Sequence, residues 1–150
     1  MSVTQVASPP DRLLLVAEIQ RASPAKVFDY WTQPDLLCQW WPQVAEVQPY
    51  TGGTYHLSWP NMNWHLRGHF TAFEPGELLT FTWKWDHEGE NVAVKEVRIV
   101  FETSADEGTK FTLTHSPYAD TQEDQDRRIN QHLEGWMYFL PRLQAAIGAS

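Results

Sequence analysis

The apolar patterning of this chain predicts an α+β domain. A curved antiparallel β-sheet is covered by a long C-terminal helix, with two short helices after the first strand. Three observations predict it. Between residues 45 and 115, segments of alternating apolar and polar residues are separated by short turn signals, as in an antiparallel meander. From Ile129 to Ile147 the apolar residues recur instead at three- and four-residue steps, the spacing of a helix face. Phe81, Trp83 and Trp85 alternate with Thr80, Thr82 and Lys84, giving a strand with one aromatic face and one facing water.

Each element follows in order. Residues 1–12 read as a flexible tail ending in Ser8-Pro9-Pro10-Asp11, and residues 13–150 as a single domain. Leu13, Leu15, Ala17 and Ile19 fall on one face of a first strand. Ser23-Pro24 starts a helix, a side-chain oxygen for the free N–H groups followed by proline at the first helical position. Val27, Phe28 and Trp31 form its buried stripe. Pro34 opens a second short helix that reaches Trp40-Trp41 and stops at Pro42. Strands follow at Ala45–Gln48, Thr54–Trp59, Trp64–Phe73, Leu78–Trp85, Val92–Thr103 and Thr109–His115. The final helix carries Ile129, Leu133, Trp136, Leu140, Leu143 and Ile147 on one face. Pro141 lies inside it and is expected to kink or break it, because it removes the bond to the Met137 carbonyl.

Composition excludes several function classes. With 150 residues the chain is one domain by size, and its net charge of −8 comes from 19 acidic against 11 basic residues. The Arg127-Arg128 pair is surrounded by Glu123, Asp124 and Asp126, so a nucleic-acid partner is not expected. No apolar run approaches the roughly 18 residues of a membrane span. Cys38 is the single cysteine, which rules out an internal disulfide and suits a reducing cytoplasm. Its apolar neighbours make it a packing residue rather than a nucleophile.

Motifs for catalysis are missing: no G-x-S-x-G, H-E-x-x-H, C-x-x-C or phosphate-cradling glycine loop occurs. No cofactor is expected. His65 and His69 have a zinc-like spacing, but on a strand they stand roughly 13 Å apart, too far to share a metal. His115 follows Phe111 and Leu113 at period two and points inward. His132 precedes Leu133 on the last helix, and if the two faced each other they could bind a polar group or act as an acid–base pair. Asp120, Glu123, Asp124 and Asp126 read as the exposed first turn of that helix, where negative charge suits the helix dipole. The eight tryptophans are, on composition alone, as compatible with a solid core as with a cavity wall.

Five motifs occur in a set order: Ala22-Ser23-Pro24-Ala25-Lys26-Val27-Phe28 with Trp40-Trp41-Pro42, then Gly52-Gly53-Thr54-Tyr55, Leu78–Trp83, Phe111–Ser116 and Gly135-Trp136. The chain thereby resembles the SRPBCC (START-like) superfamily, and within it the branch similar to the C-terminal domain of the activator of the heat-shock-protein-90 ATPase. The resemblance spans about Leu13 to Ile147. It implies a helix-grip fold, with a sheet wrapped around the long helix and an apolar cavity between them. The implied lining is Trp40 from the second helix, Tyr55, Leu57 and Trp59 from one strand, and Trp64 and Leu66 from the next. Phe81, Trp83, Val97, Ile99, Leu113 and His115 continue it across the sheet, and His132 and Trp136 close it from the helix. Within this resemblance Trp85 belongs to the rim, and the wall reading of the aromatic strand gains over the solid core.

Three functions are compatible with the resemblance. The favoured one is binding of a small hydrophobic or aromatic ligand, such as a lipid or polyketide, in the internal cavity. The second is a cyclase- or hydrolase-like enzyme using His115. The third is a co-chaperone-like interaction module with a chaperone partner. A homodimer is compatible with all three.

Overall fold

The computed structural model describes residues 2–149. Eight strands form one antiparallel sheet in the order β1-β2-β8-β7-β6-β5-β4-β3. They are β1 (Ser2–Val6), β2 (Leu13–Ile19), β3 (Val44–Val47), β4 (Thr54–Trp59), β5 (Trp64–Glu74), β6 (Leu78–Trp85), β7 (Lys95–Thr103) and β8 (Thr109–Ser116). Two short helices, α1 (Pro24–Thr32) and α2 (Pro34–Leu37), follow β2. The chain ends in a long helical segment made of α3 (Gln122–Asp126), a π-helical stretch (Arg127–Leu133) and α4 (Glu134–Gly148). The curved sheet and long helix are those of a helix-grip α+β fold.

The alternation seen in sequence becomes the inner face. Leu13, Leu15, Ala17 and Ile19 of β2 are buried, and opposite them Phe111, Leu113 and His115 of β8. On α4, Trp136, Leu140, Leu143 and Ile147 are buried, the stripe expected of a helix lying on a sheet. Ser23 caps α1, its Oγ accepting from Lys26 N–H at 3.2 Å. The α1 side chain Phe28 then meets Phe73 and Phe101 edge-on at 5.1 and 5.5 Å. Arg142 donates to the Trp40 carbonyl at 3.2 Å, tying α4 to the segment after α2.

Gly68 is required by a close approach between strands. A Cβ there would lie 2.7 Å from the Tyr55 ring and closer still to the Thr82 carbonyl. That carbonyl accepts the Tyr55 hydroxyl at 2.5 Å. The pairing of β5 with β6 shifts register between Phe70 and Ala72, a bulge that bends the strand.

Several expectations are corrected. Residues 2–6 belong not to a loose tail but to a strand paired antiparallel with β2, Ser2 opposite Glu18 and Val6 opposite Leu14. Without β1 the peptide groups of β2 would form an open edge, and five residues of mixed polarity are too few to show a period. β7 begins at Lys95 rather than Val92, and Val94 stands 55% exposed. Thr80 is buried, not wet, because the bulge places Thr71 over it in a hydroxyl–hydroxyl hydrogen bond. Cys38 is exposed rather than packed, since it sits past the end of α2 on its outer side. Pro141 does not break α4, which runs through it to Gly148. Both Pro141 and Met137 are exposed, so the Met137 carbonyl faces water and loses little.

Candidate functional site

A cleft of about 550 Å³ opens where the helix passes the ends of three strands. Its wall comes from Trp59 at the end of β4, Trp64 at the start of β5, and Trp83 and Trp85 at the end of β6. Trp41 closes it from behind α2, and His132, Trp136 and Phe139 close it from the helix. The rings form a continuous surface. Trp41 stacks on Trp83 with centroids 5.9 Å apart, and Trp136 lies 5.2 Å from Trp41. Trp85 lies 5.5 Å from Trp59 and 6.1 Å from Trp64. Trp64 is 43% exposed and Tyr138 62%, which places both at the mouth.

The family resemblance spreads the candidate lining over the whole sheet, whereas the structure divides it. Trp59, Trp64, Trp83, His132 and Trp136 line the cleft. Leu66, Val97, Ile99 and Leu113 are fully buried away from it. Tyr55, Leu57 and Phe81 border a separate void of about 10 Å³, room for no more than one water. Trp40 is also fully buried, its indole N–H donating to the Tyr30 carbonyl at 2.9 Å, and its neighbour Trp41 faces the cleft instead. A solid core thus fills most of the space between sheet and helix, where the buried side chains of β2, β7, β8 and α4 belong to one continuous cluster. Period two gives the face of the sheet but not how far along it the helix stays in contact.

Behind the cleft His115 and His132 stack, with ring centroids 4.5 Å apart and planes 6° from parallel. His115 does not line the cleft; it lies on the inner side of His132. Trp136 donates its indole N–H to His115 Nδ1 at 3.1 Å. The Tyr118 hydroxyl is 2.7 Å from His132 Nδ1. Burial, then the neighbouring His132 and Lys95, hold the His115 pKa well below its usual value. Burial, then Lys95 and Arg127, hold His132 down to about 3. Both rings are therefore neutral at physiological pH. Burial and then the Asp124 charge push the Tyr118 phenol well up, so it keeps its proton. The Nε2 atoms of both histidines and Nε1 of Trp83 are buried without a hydrogen-bond partner among the described residues.

Below the histidines lies a charge cluster. Lys95 is buried, donates to the Pro117 carbonyl at 2.8 Å and pairs with Asp124 at 3.0 Å. Arg127 joins Asp124, and also Glu88 at 3.3 Å, with both Arg127 and Glu88 side chains nearly enclosed. Burial alone would raise the Asp124 carboxyl, but hydrogen bonds from Ala119 N–H, Lys95 and Arg127 bring it below the usual range. Asp124 is thus a buried ion-pair partner, correcting its reading as an exposed helix-turn residue; Glu123 beside it does stand exposed. A π-helical stretch follows Asp124 in the chain. A π-helix bonds residues five apart and brings them over one another, where an α-helix would turn them away. Arg127 and His132 are five apart and both buried. Ile129 and Leu133, placed on the buried face by a 3.6-residue period, are only half-buried.

The sequence also gives no weight to Tyr118, Lys95 and Arg127. Tyr118 lies beyond the last strand, where no period extends. Lys95 follows a loop, so its parity on β7 is legible only once the strand start is known. No helix among the described residues is long and apolar enough to cross a membrane.

Comparison with known proteins agrees with this architecture. A protein from Mesorhizobium loti of known structure superposes with a TM-score of 0.76 at 23% identity, covering 91% of this chain and 98% of its own. DynU16, from the dynemicin biosynthetic locus, superposes with a TM-score of 0.77 at 20% identity, over 93% of this chain and 48% of its own. An HSP90 activator from Plasmodium falciparum gives 0.72 at 19% identity, over 92% and 96%. At these identities the likeness shows the fold alone. No curated protein matches the chain in sequence. The family model described as Activator of Hsp90 ATPase homolog 1-like protein matches residues 21–148, and the chain belongs to that family.

Proposed function

We propose that this protein binds a small hydrophobic or aromatic ligand in the tryptophan-walled cleft between the strand ends and the C-terminal helix. The observation that carries the reading is the cleft itself, about 550 Å³ with Trp41, Trp59, Trp83, Trp85 and Trp136 in its wall. That volume lies in the range of small-molecule sites, and such sites are mostly apolar with a few placed polar groups. Here the polar lining is His87, Asn130, Gln131, His132 and Glu134.

The enzyme reading finds less support, since His115 is fully buried and reaches the cleft only through His132. The co-chaperone reading rests on the family and on the shared fold of the Plasmodium activator, and no residue of this chain carries it further.

The test is a fluorescence titration with fatty acids, aromatics and polyketide-like compounds. A saturable change in tryptophan emission is expected for at least one class, weakened about tenfold or more in Trp85→Ala. No saturable change with any class would sink the reading.

A further inference from the structure

We propose that the ligand of this cleft is a neutral, flat aromatic molecule carrying a carbonyl-type oxygen, which accepts a hydrogen bond from His132 Nε2–H. The inference deepens the proposed function and rests on it.

The argument begins with proton positions. The Trp136 indole can only donate, so His115 Nδ1, 3.1 Å away, accepts. A neutral imidazole carries one proton, and His115 therefore carries it on Nε2. The same logic applies one ring further out. Tyr118 keeps its phenolic proton, and His132 Nδ1 is the hydrogen-bond partner found for it among the described residues. The arrangement that leaves no hydroxyl proton stranded has Tyr118 donating to Nδ1, which puts the His132 proton on Nε2. Trp83 Nε1 is a donor by its chemistry. The unpartnered buried nitrogens of the two cleft-lining residues, His132 Nε2 and Trp83 Nε1, are thus both N–H donors. A ligand satisfying them must supply an acceptor. As the side chains stand, these nitrogens are closed off from solvent, so binding of the acceptor requires the His132 ring to turn towards the cleft.

Charge then separates neutral acceptors from anionic ones. Among the described lining residues the one side chain of fixed charge is Glu134, an acid, and His87 is an exposed imidazole in the same wall. The cations behind the histidines are committed: Lys95 to Asp124, and Arg127 to Asp124 and Glu88. A carboxylate brought in would find no lysine or arginine among the described lining residues and would lie beside an acidic group, which costs more than burying a ketone. The shape of the wall favours flat rings over a flexible chain, because stacked and edge-on indoles offer planar contact.

Four probes test this: fluorene, 9-fluorenone, 9-fluorenone-2-carboxylate and palmitate. Each is titrated against the full chain and against His132→Phe. In the unmutated protein, 9-fluorenone is expected to bind about five- to tenfold more tightly than fluorene, the worth of one neutral hydrogen bond. The carboxylate and palmitate bind more weakly than 9-fluorenone. In His132→Phe the advantage of the ketone falls to about one while fluorene still binds. Nitrogen-15 NMR of the imidazoles provides a readout independent of any variant. Both rings are expected as Nε2–H tautomers, with the His132 signals shifting on addition of 9-fluorenone. Equal affinity for fluorene and 9-fluorenone, or tightest binding of palmitate, overturns this inference and leaves the apolar site standing. Failure of all four, together with the wider panel above, overturns the site itself.

Discussion

At the scale of single residues, the two stacked histidines set how stability responds to acid. His132 titrates at about 3 in the folded protein against 6.5 as a free side chain, chiefly because burial penalises the charged ring. The unfolded chain therefore takes up a proton below about pH 6.5 that the folded chain refuses. Above that pH the group contributes nothing to the pH dependence; below it, stability is lost progressively as pH falls towards 3. At pH 5 the loss from His132 is about 2 kcal/mol relative to pH 8. His115 is shifted in the same direction and adds to it. Asp124, whose pKa is lowered, loses its contribution only at more acid pH, so the interval from 6.5 to 4.5 reports histidines: the stacked pair together with His56, which burial also shifts down. Urea unfolding at pH 8 and pH 5 is expected to show this fall, reduced in His132→Phe. A flat profile would mean that the rings are not held neutral. The inward direction of His115 is legible in the sequence because Phe111 and Leu113 fix its parity. Its stacking on His132 is not, because that depends on the helix path.

At the scale of elements, the π-helical stretch is what a 3.6-residue period cannot show. It turns Arg127 and His132 inward together and leaves Ile129 and Leu133 half-buried. Arg127 then bridges the helix to Glu88 in the loop after β6 and to Asp124 one turn earlier. Removing one member of a buried charge network leaves the others uncompensated. Arg127→Met is expected to lower stability by about 3 kcal/mol, seen as a lower urea midpoint. A loss below about 0.5 kcal/mol, the range of an ordinary surface substitution, would show the cluster to be solvated instead. Strands are more legible than this helix, because each carries several alternating residues bounded by Gly, Pro or Asn. β1 is the exception, as it has one partly buried apolar side chain, Val3, and pairs at the sheet edge with β2 alone.

At the scale of the whole molecule, the sheet and helix divide into a closed end and an open end. The closed end holds β2, β7, β8 and the second half of α4, where Leu13, Leu113, Ile99 and Leu140 are fully buried. The open end holds the cleft, where Trp64 and Trp85 keep contact with solvent. The order of elements makes the grip of sheet on helix legible in the sequence. Where that grip is tight is not, since it depends on side-chain volumes summed across several elements. The division separates stability from binding. Leu113→Ala removes a fully enclosed side chain and is expected to cost 2–5 kcal/mol, as for other buried leucines, while changing ligand affinity by less than about twofold. Trp64→Ala removes a half-exposed ring at the mouth and is expected to leave stability within about 1 kcal/mol but to weaken binding of a flat aromatic probe severalfold. Parallel urea and fluorescence titrations of the two variants decide the matter. If Leu113→Ala abolished binding while the fold survived, or Trp64→Ala left affinity untouched, the ligand would sit deeper, in the space that the core side chains now fill.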